Sequence, residues 1–432
     1  MLLLESYRAN LELFRNSKKS YRELKAIQEK KLRKLIKFAY ETVPYYHNLF
    51  KSNSIYPDSI RTVADLKKIP ITTKEDLLKA GDAWMSNAVD KGSCKYIKTG
   101  GSTAKVLAFY KSHYNISHHR ASFLRARMEN GVNPIFCSKL QLYTPRYIGV
   151  GDTPTDYYLR LSKPPEILNV MSYTPAELKA LFENRKYHWI SGYPSIFKLL
   201  SQKILSGELK PPETEHLFSS SEVLDDHTRN IVGKAFGSDL RDIYGSYENG
   251  CIAWECEKHE GYHINTDTVA AEVLNDDEVS DTGTGRLILT NLSSFDMPFI
   301  RYDQKDIVTL TDDTCSCGRS FPLMKSITGR ADDFIKTPSG KLVDPIGFRL
   351  NIITSELNSN ILEYQAIQST SDSIDVNLVL NDQSKMPAIE KELLEKFRRF
   401  IGEDMNIFIH SVNQVEKTPA GRMRCVISKL DN

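Results

Sequence analysis

The sequence predicts an α/β fold with a large N-terminal domain and a small α+β C-terminal domain. Short apolar strands alternate with helices over the first half of the chain, a pattern that indicates mainly parallel sheets. The segment from Asp267 to Asp312 contains several strands in succession, which predicts a β-rich subdomain. A chain of 432 residues also exceeds what one hydrophobic core accommodates, so about two or three domains are expected.

The N-terminal part of the chain is predicted to be helical. From Lys18 to Tyr40, apolar residues recur at helical spacing and basic residues cover the other face, which either is solvated or touches an anionic partner. This helix should end before Val43, because the residue ahead of Pro44 disfavours helical geometry. Another helix is predicted to begin at Thr73, where Asp76 completes a capping box.

Several predicted strands end in turns that carry polar residues. These strand ends lie within residues 97–106, 140–143, 188–194, 216–222 and 242–250. Helices are predicted between them, from Pro175 to Asn184 and from about Asp225 to Phe236. The carboxyl ends of parallel strands meet at one edge of a sheet, so a ligand is expected to bind there.

The last hundred residues have a different pattern. Apolar side chains alternate from Ile374 to Leu380, as in a half-buried strand. A charged helix from about Pro387 to Ile401 and a strand over 407–410 follow. The junction near Gly329–Asp333 is the predicted domain boundary. It divides the chain into residues 1–329 and 330–432.

Composition excludes several classes of protein. A formal net charge of +2 gives no reason to expect nucleic acid as a partner. No apolar run approaches the roughly 20 residues of a transmembrane helix, and Met1–Glu5 is too short for a signal peptide. Seven scattered cysteines favour free thiols or a metal site in a reducing compartment over a disulfide framework. A cytoplasmic location is therefore expected.

The stretch Thr99-Gly100-Gly101-Ser102-Thr103 joins a predicted strand to a turn. Adjacent glycines let the backbone approach a bulky anion, and hydroxyl and N–H groups can donate to phosphate oxygens. The stretch has the spacing neither of a Walker loop nor of G-x-G-x-x-G. Taken by itself, a Gly/Ser/Thr cluster of this kind is more often an ordinary turn.

Five motifs occur in the order found in adenylate-forming enzymes. They are Thr99–Thr103, Ser221–Glu222, Tyr244–Glu248, Arg301–Asp306 and Gly329–Asp333. The chain most resembles the phenylacetate–coenzyme A ligase branch, in particular its relatives from capsular-polysaccharide gene clusters and the coenzyme F390 synthetase-like group. The resemblance covers nearly the whole chain, and the order of the motifs is more specific than any one of them.

This resemblance implies that a substrate carboxylate attacks the α-phosphate of ATP and releases pyrophosphate, with Mg²⁺ offsetting the phosphate charge. It implies the glycine stretch as the phosphate cradle, Glu248 as the magnesium ligand and Asp306 as the acceptor of the ribose hydroxyls. The residues implied to surround the nucleotide are Ser221, Glu222, Tyr244, Gly245, Ser246 and Arg330. Arg330 and Asp332 are implied as the hinge of a mobile small domain. Each role has a plain structural alternative: Glu248 would be a surface loop carboxylate, and Asp306 would cap the end of a strand. Arg330 and Asp332 would then belong to an ordinary interdomain linker.

Two positions depart from the family pattern. Ala104 stands where the family loop usually continues with glycine, so the loop is expected to close differently on the phosphates. Arg422 stands where a lysine usually reaches the reacting carboxylate, and a planar guanidinium does not replace a compact ammonium neutrally. Lys417 is the fallback for that catalytic role.

A second group of residues has the composition of a structural zinc site. Cys256, His263, Cys315 and Cys317 would supply three thiolates and one imidazole, which close a tetrahedral site. His259 is the competing histidine. Four unrelated reduced side chains are the alternative, because Cys-x-Cys is not the usual finger spacing.

The acyl pocket is expected to be small. By motif position it is flanked by Tyr143, Tyr193, Pro194, Ser195, Ser246 and Tyr247. Tyr247 replaces a small hydroxyl residue that is usual in the family, which should narrow the pocket. A small or polar carboxylic acid is therefore predicted as the substrate, rather than a long acyl chain.

The resemblance favours an ATP-dependent ligase that passes the acyl group to coenzyme A. Three alternatives remain open: transfer to an amine on a surface polysaccharide or its sugar precursor, transfer of AMP itself, and a nucleotide-binding protein with weakened catalysis. The acceptor would thus be a thiol or an amine, in some cases sugar-linked. A homodimer is also left open.

Overall fold

The computed structural model describes most of the chain. The described residues are 2–98, 107–133, 137–142, 166–168, 170, 173, 175–183, 185–275, 278–330, 335–340, 342–343, 348, 351–352, 355–357, 360–417 and 423–430.

Three helices begin the chain: α1 (Leu2–Asn16), α2 (Tyr21–Thr42) and α3 (Pro44–Ser52). A capping box starts α2, in which the Ser20 side chain accepts the N–H of Glu23 and the Glu23 carboxylate accepts the N–H of Ser20. Helix α2 ends before the extended residue Val43, and Pro44 is the first residue of α3, as the proline predicts.

A β-hairpin and two helices follow. The hairpin pairs β1 (Lys95–Lys98) with β2 (Ala108–Lys111) in antiparallel register. The Thr73 side chain caps α4 (Lys74–Ala80), and α5 (His113–Glu129) follows β2 directly after its cap Ser112. Short 3₁₀ helices span Pro57–Ser59, Val63–Lys68, Gly81–Trp84, Lys91–Ser93 and, further on, Gln383–Lys385.

The parallel part of the main sheet has the predicted alternation of strands and helices. Its strands are β3 (Lys139–Leu142), β4 (Glu166–Leu168), β5 (Lys186–Gly192), β6 (Glu213–Ser220) and β7 (Leu240–Ser246). They lie in the order β4-β3-β5-β6-β7. The connecting helices are α6 (Pro175–Phe182), α7 (Pro194–Leu205) and α8 (Asp226–Phe236).

The same sheet continues as an antiparallel β-rich region. Its strands are β8 (Gly250–Glu255), β9 (Tyr262–Ile264), β10 (Val269–Asn275), β11 (Glu278–Ser280), β12 (Gly283–Asn291), β13 (Tyr302–Thr311) and β14 (Leu323–Arg330). Among the described residues the two parts form one 12-stranded sheet, in which β8 pairs with β7. The β-rich segment predicted from the sequence is therefore continuous with the parallel strands.

Both faces of the parallel strands are covered. Ile190 and Leu217 pack with α7 and α8 on one face, in a core that includes Phe197. Trp189 and Phe218 point to the other face and pack with α5. Burial on two faces explains why apolar residues stand at consecutive positions in β5 and β6, as at Trp189-Ile190 and Leu217-Phe218.

The C-terminal part has its own hydrophobic core. It contains the short strands β15 (Ile335–Lys336) and β16 (Leu342–Val343), then β17 (Ile361–Thr370), β18 (Ser373–Leu380), helix α9 (Met386–Ile401), β19 (Asn406–Ser411) and β20 (Val426–Ser428). Four of the strands form a sheet in the order β19-β18-β17-β20. The alternation over β18 buries one face of that strand, as predicted.

Candidate functional site

Three of the predicted nucleotide residues meet at the edge where β7, β13 and β14 approach one another. The Tyr244 hydroxyl donates a hydrogen bond to the Asp306 carboxylate. Arg330 is the cross-strand partner of Asp306, and its Nη1 lies 3.8 Å from Asp306 Oδ1. Burial raises the pKa of Tyr244 well above its ordinary value, so this hydroxyl remains a neutral donor. The trio forms a polar surface at a strand end.

The turn between β7 and β8 brings the predicted magnesium ligand to the same edge. Glu248 is 8% exposed, and its backbone carbonyl accepts a hydrogen bond from Asn291 Nδ2 at 2.9 Å. Asn249 Nδ2 donates to Gln304 Oε1 at 2.9 Å. A Cβ on Gly245 would lie 2.4 Å from the Gly250 carbonyl oxygen, so only glycine fits there. The turn is thereby fixed against β12 and β13.

Glu222 connects two parts of the chain. Its carboxylate accepts hydrogen bonds from the Ser195 N–H at 3.0 Å and the Ser195 hydroxyl at 3.1 Å, close to the start of α7. It also accepts the N–H of Met423 from the C-terminal part at 3.2 Å. The preceding residue, Ser221, has a φ of 74°, which turns the chain sharply after β6. The Glu222 side chain thus joins the start of α7 to the C-terminal part.

The residues predicted to flank the acyl group lie in two environments. Tyr193 is 0% exposed and packs in the core beneath α7, and Pro194 is the first residue of that helix. Tyr247 packs instead beside the core formed by the N-terminal helices and the β1–β2 hairpin. Ser246, at the end of β7, is partly exposed. The lining of the pocket remains a prediction.

Several predicted residues lie outside the described part of the chain. They are Thr99, Gly100, Gly101, Ser102, Thr103, Ala104, Tyr143, Asp332 and Arg422. The fallback lysine is described: Lys417 Nζ lies 2.9 Å from Glu363 Oε1, and Lys417 forms an antiparallel bridge with Met423. The Lys417 ammonium is therefore paired within the C-terminal part.

Sequence reasoning missed a buried cation next to this edge. Lys111, the last residue of β2, is 3% exposed, and its Nζ lies 3.0 Å from Nδ1 of the half-buried His119. Burial lowers the pKa of Lys111 to about 8, and the negative charges of Glu248 and Asp296 oppose that shift. The available signal was the alternation of β2, which places Lys111 on the same inward face as Phe109.

The four proposed zinc ligands do come together. The ligand atoms of Cys256, His263, Cys315 and Cys317 all lie within 4.8 Å of one another. The sulfurs of Cys256 and Cys315 are 3.6 Å apart, and the sulfur of Cys317 is 3.3 Å from His263 Nε2. Sulfurs bound tetrahedrally to zinc at about 2.3 Å would be separated by roughly 3.8 Å, so these distances suit one ion. They are too long for a disulfide, whose bond is about 2.05 Å.

The competing histidine lies elsewhere. His259 Nε2 is 2.9 Å from both carboxylate oxygens of Asp239. Hydrogen bonds to Asp239 and Glu255 raise the pKa of His259 to about 9, and its Nε2 is engaged by Asp239 instead of lying among the three thiols. Burial raises the pKa of Cys251 to about 12, and this thiol is not among the clustered ligands. The geometry therefore selects His263.

Comparison with known proteins gives the context of these residues. Residues 335–429 match the family model of the CapK C-terminal domain. The chain is 24% identical over 422 residues to protein CapK of Staphylococcus aureus, covering 94% of this chain and 90% of the relative. It is 23% identical over 435 residues to a phenylacetate–coenzyme A ligase of Thermus thermophilus, covering 94% and 96% respectively.

A solved ligase shares the whole fold. The structure of 2-hydroxyisobutyryl-CoA ligase in the postadenylation state, in complex with R3-HIB-AMP, matches with a TM-score of 0.76 at 17% identity, over 96% of this chain and 91% of that chain. The same ligase in the thioesterification state, in complex with 2-HIB-AMP and CoA, matches over 95% and 91% with a TM-score of 0.62.

The fold is therefore that of the adenylate-forming coenzyme A ligases. Within that class, the resemblance to the CapK and phenylacetate–coenzyme A ligase branch predicted from the motifs is confirmed. None of the helices in the described part of the chain has the length and apolar content that a bilayer crossing requires.

Proposed function

We propose that this chain is an ATP-dependent ligase that converts a small carboxylic acid into an acyl-adenylate and then transfers the acyl group to coenzyme A. The observation that carries the proposal is the meeting of Tyr244, Asp306 and Arg330 with the Glu248 turn at one edge of the sheet. Relatives matched over nearly their full length include named phenylacetate–coenzyme A ligases, which supports the same reaction class.

Asp306 suits the nucleotide's ribose. A carboxylate can accept hydrogen bonds from two neighbouring hydroxyls, and the Tyr244 donor fixes its orientation. Arg330 adds a positive charge beside that carboxylate, which would face a polyanionic nucleotide. The phosphate cradle remains assigned, by resemblance, to Thr99–Thr103.

Glu248 fits the role of magnesium ligand. Its carboxylate is buried, and none of the ion pairs found among the described residues engages it, so its oxygens are available to a hard cation. Bound there, Mg²⁺ would neutralise phosphate charge as the acid attacks. Asn291 and Gln304 hold the turn that presents this carboxylate, which limits the reorganisation needed on binding.

We further propose that Cys256, His263, Cys315 and Cys317 hold a structural zinc ion. The set would leave no open coordination position, so the ion would not take part in the reaction. It would join the end of β8 and strand β9 to the loop between β13 and β14. This loop precedes the strand that ends at Arg330, so the ion would stabilise the scaffold of the nucleotide edge.

Acyl transfer to an amine is the second candidate function. The matched C-terminal domain is of the CapK type, and in this class of ligases the small domain is expected to reorient for the second half-reaction. A different small domain could therefore admit a sugar-linked amine in place of coenzyme A. Comparing product formation with coenzyme A and with amino sugars would separate the two acceptors.

ATP–pyrophosphate exchange across a panel of small acids tests the adenylation step. We expect exchange with at least one acid and a loss of at least about 100-fold in Glu248→Ala, as one electrostatic contribution of about 3 kcal/mol predicts. Exposed Glu213→Ala serves as the matched control and should leave the rate unchanged. ATP binding without exchange for any acid would instead indicate a nucleotide-binding protein.

A further inference from the structure

The C-terminal part and the rest of the chain have separate cores. The buried apolar residues of the C-terminal core all lie between Ile335 and Val426, and none of them belongs to the core beneath α7 and α8. Among hydrogen bonds and ion pairs that join two described residues, the one that crosses from residues 2–330 to residues 335–430 is the bond from the Met423 N–H to Glu222 Oε1, at 3.2 Å. Parts of a chain that share little contact reorient relative to each other unless something holds them.

Glu222 is held in place from the N-terminal side of this bond. Helix α7 begins after Tyr193, whose side chain makes no capping hydrogen bond, so the first N–H groups of the helix need another acceptor. Glu222 supplies it: Oε2 accepts the Ser195 N–H at 3.0 Å, and Oε1 accepts the Ser195 hydroxyl at 3.1 Å. A carboxylate is also stabilised by the positive end of a helix. The acceptor for Met423 is thus fixed independently of the C-terminal part.

On the other side of the bond, Met423 is tied to the sheet of the C-terminal part. It forms an antiparallel bridge with Lys417. The residues next to this bridge are bound by Gln365, whose Nε2 donates to the carbonyls of Glu416 and Arg424, each at 2.9 Å. Gln365 is 0% exposed and lies in β17, an inner strand of the C-terminal sheet. A restraint on Met423 therefore acts on the whole C-terminal part.

The bond lies at the edge of the sheet where the proposed nucleotide residues meet. Glu222 follows β6 by two residues, and the last residue of β6, Ser220, is the cross-strand partner of Ile243 in β7. Tyr244, the next residue of β7, donates to Asp306. With the bond in place, the C-terminal part contacts this edge. Without it, no hydrogen bond between described residues would hold the C-terminal part there.

We infer that Glu222 is a positioning residue for acyl-adenylate formation, because its carboxylate holds the C-terminal part against the nucleotide edge. The inference rests on the proposed function and adds to it a residue that acts through the C-terminal part. A hydrogen bond to a charged acceptor shifts an equilibrium by about 10–100-fold, so it favours the docked arrangement without making it permanent. Acyl transfer to a bulky acceptor needs the edge uncovered, so this second step should not depend on the bond.

The test compares the two half-reactions in Glu222→Ala. ATP–pyrophosphate exchange reports acyl-adenylate formation, and thioester formation from a supplied acyl-adenylate and coenzyme A reports acyl transfer. We expect the kcat of pyrophosphate exchange to fall by about 10–100-fold, while acyl transfer keeps its wild-type rate or becomes faster. Glu222→Gln should lose less, because its amide oxygen can still accept the Met423 N–H through a weaker, uncharged bond.

The donor can be removed without changing Glu222. Incorporating the α-hydroxy acid analogue of methionine at position 423 replaces the N–H by an ester oxygen, and pyrophosphate exchange should slow as in Glu222→Ala. A direct contact of Glu222 with the nucleotide would instead leave this ester variant at the wild-type rate and overturn the inference. If Glu222→Ala does not fold, the ester variant and Glu222→Gln provide the same test.

Asp375→Ala is the control for a lost carboxylate. Asp375 is 43% exposed and pairs with His410 at 2.9 Å, within the C-terminal part. Exposed pairs of this kind contribute little, and this one lies away from the crossing bond, so neither half-reaction should change.

Hydrogen exchange followed by mass spectrometry measures docking without any turnover. In Glu222→Ala, the peptide that contains Met423 should exchange its amide hydrogens faster, whereas peptides of β18, inside the C-terminal core, should not change. An unchanged Met423 peptide would overturn the inference, and so would equal losses in the two half-reactions. If the wild-type protein shows pyrophosphate exchange with no acid, the proposed function fails, whereas the Met423 peptide decides separately whether Glu222 holds the C-terminal part.

Discussion

The buried ion pair between Arg125 and Asp267 gives the sharpest prediction about stability. Both side chains are 0% exposed, and Nη1 and Nη2 of Arg125 donate to the two Asp267 oxygens at 2.8 and 2.7 Å. Nη2 also donates to Asn265 Oδ1 at 2.7 Å, and Asn16 Nδ2 donates to Asp267 Oδ2 at 2.8 Å. The pair ties α5 and the end of α1 to the connection between β9 and β10.

Removing one partner should be costly because it leaves the other charge buried. For Asp267→Ala we expect the free energy of unfolding to fall by about 3–5 kcal/mol, the usual cost of a broken buried pair. This is a large share of the about 5–15 kcal/mol that stabilises a typical domain. The double variant Arg125→Met/Asp267→Leu removes both charges, so it should be destabilised by about 2 kcal/mol less than the sum of the single variants.

Urea unfolding followed by tryptophan fluorescence measures these changes. Glu213→Ala is the control: its partner Lys186 is 53% exposed and Glu213 70% exposed, so the change should stay below about 1 kcal/mol. A loss below about 1 kcal/mol in Asp267→Ala would refute the reasoning. Strictly additive single and double variants would refute it equally.

Acidity should weaken the same pair. Burial alone would raise the pKa of Asp267, but the Arg125 charge and its hydrogen bonds reverse this and hold the pKa below 3.8. A depressed carboxyl pKa contributes stability above the unfolded value, and that contribution is lost as pH falls through the folded value. The difference in the free energy of unfolding between wild type and Asp267→Ala should therefore become smaller below about pH 4.

Three further predictions follow. Purified protein should contain one zinc ion per chain, as measured by metal analysis after gel filtration. Cys256→Ser should lose the ion and unfold at a lower temperature, whereas the control Cys94→Ser should keep it. Metal-free wild-type protein would contradict the site. Asp306→Ala should weaken ATP binding by about 10–100-fold in calorimetry, and unchanged affinity would contradict its ribose role. Burial opposes ionisation of Glu12, but its partners His118 and Lys31 lower its pKa to about 2. Glu12→Gln should therefore lower the free energy of unfolding by about 1 kcal/mol at pH 7. That cost should vanish as pH falls from 4.5 to about 2, and a pH-independent cost would exclude the ion pair.

Much of the fold could be predicted from local signals. Pro44 and the capping box at Thr73 place helix ends because they act within one turn of backbone. The alternation from Ile374 to Leu380 predicts β18 for a similarly local reason. The continuity of the parallel and antiparallel strands was not predictable in this way, because it depends on the pairing of β7 with β8.

In the candidate site, too, the residue types were predictable from the sequence, whereas their long-range contacts were not. Motif order predicts Tyr244, Glu248, Asp306 and Arg330 as residues of the site, and it also predicts the fold class, which the structure confirms. It could not give the Tyr244–Asp306 hydrogen bond, which spans 62 positions of sequence. Nor could it find the partners of Glu222, which come from the start of α7 and from the C-terminal part.

Local patterns and the order of the motifs are enough to predict the class of protein, and they also point to three thiols and an imidazole as the residue types of a zinc site. The choice of His263 over His259 as the neighbour of the three cysteines depends on packing, because Asp239 and Glu255 engage His259 in space. Only the tertiary structure showed Lys111 as a buried cation, because its burial depends on α5 packing against β7 and β8. Residue type fixes what a group can do, and three-dimensional packing fixes its partners, its solvation and therefore its charge.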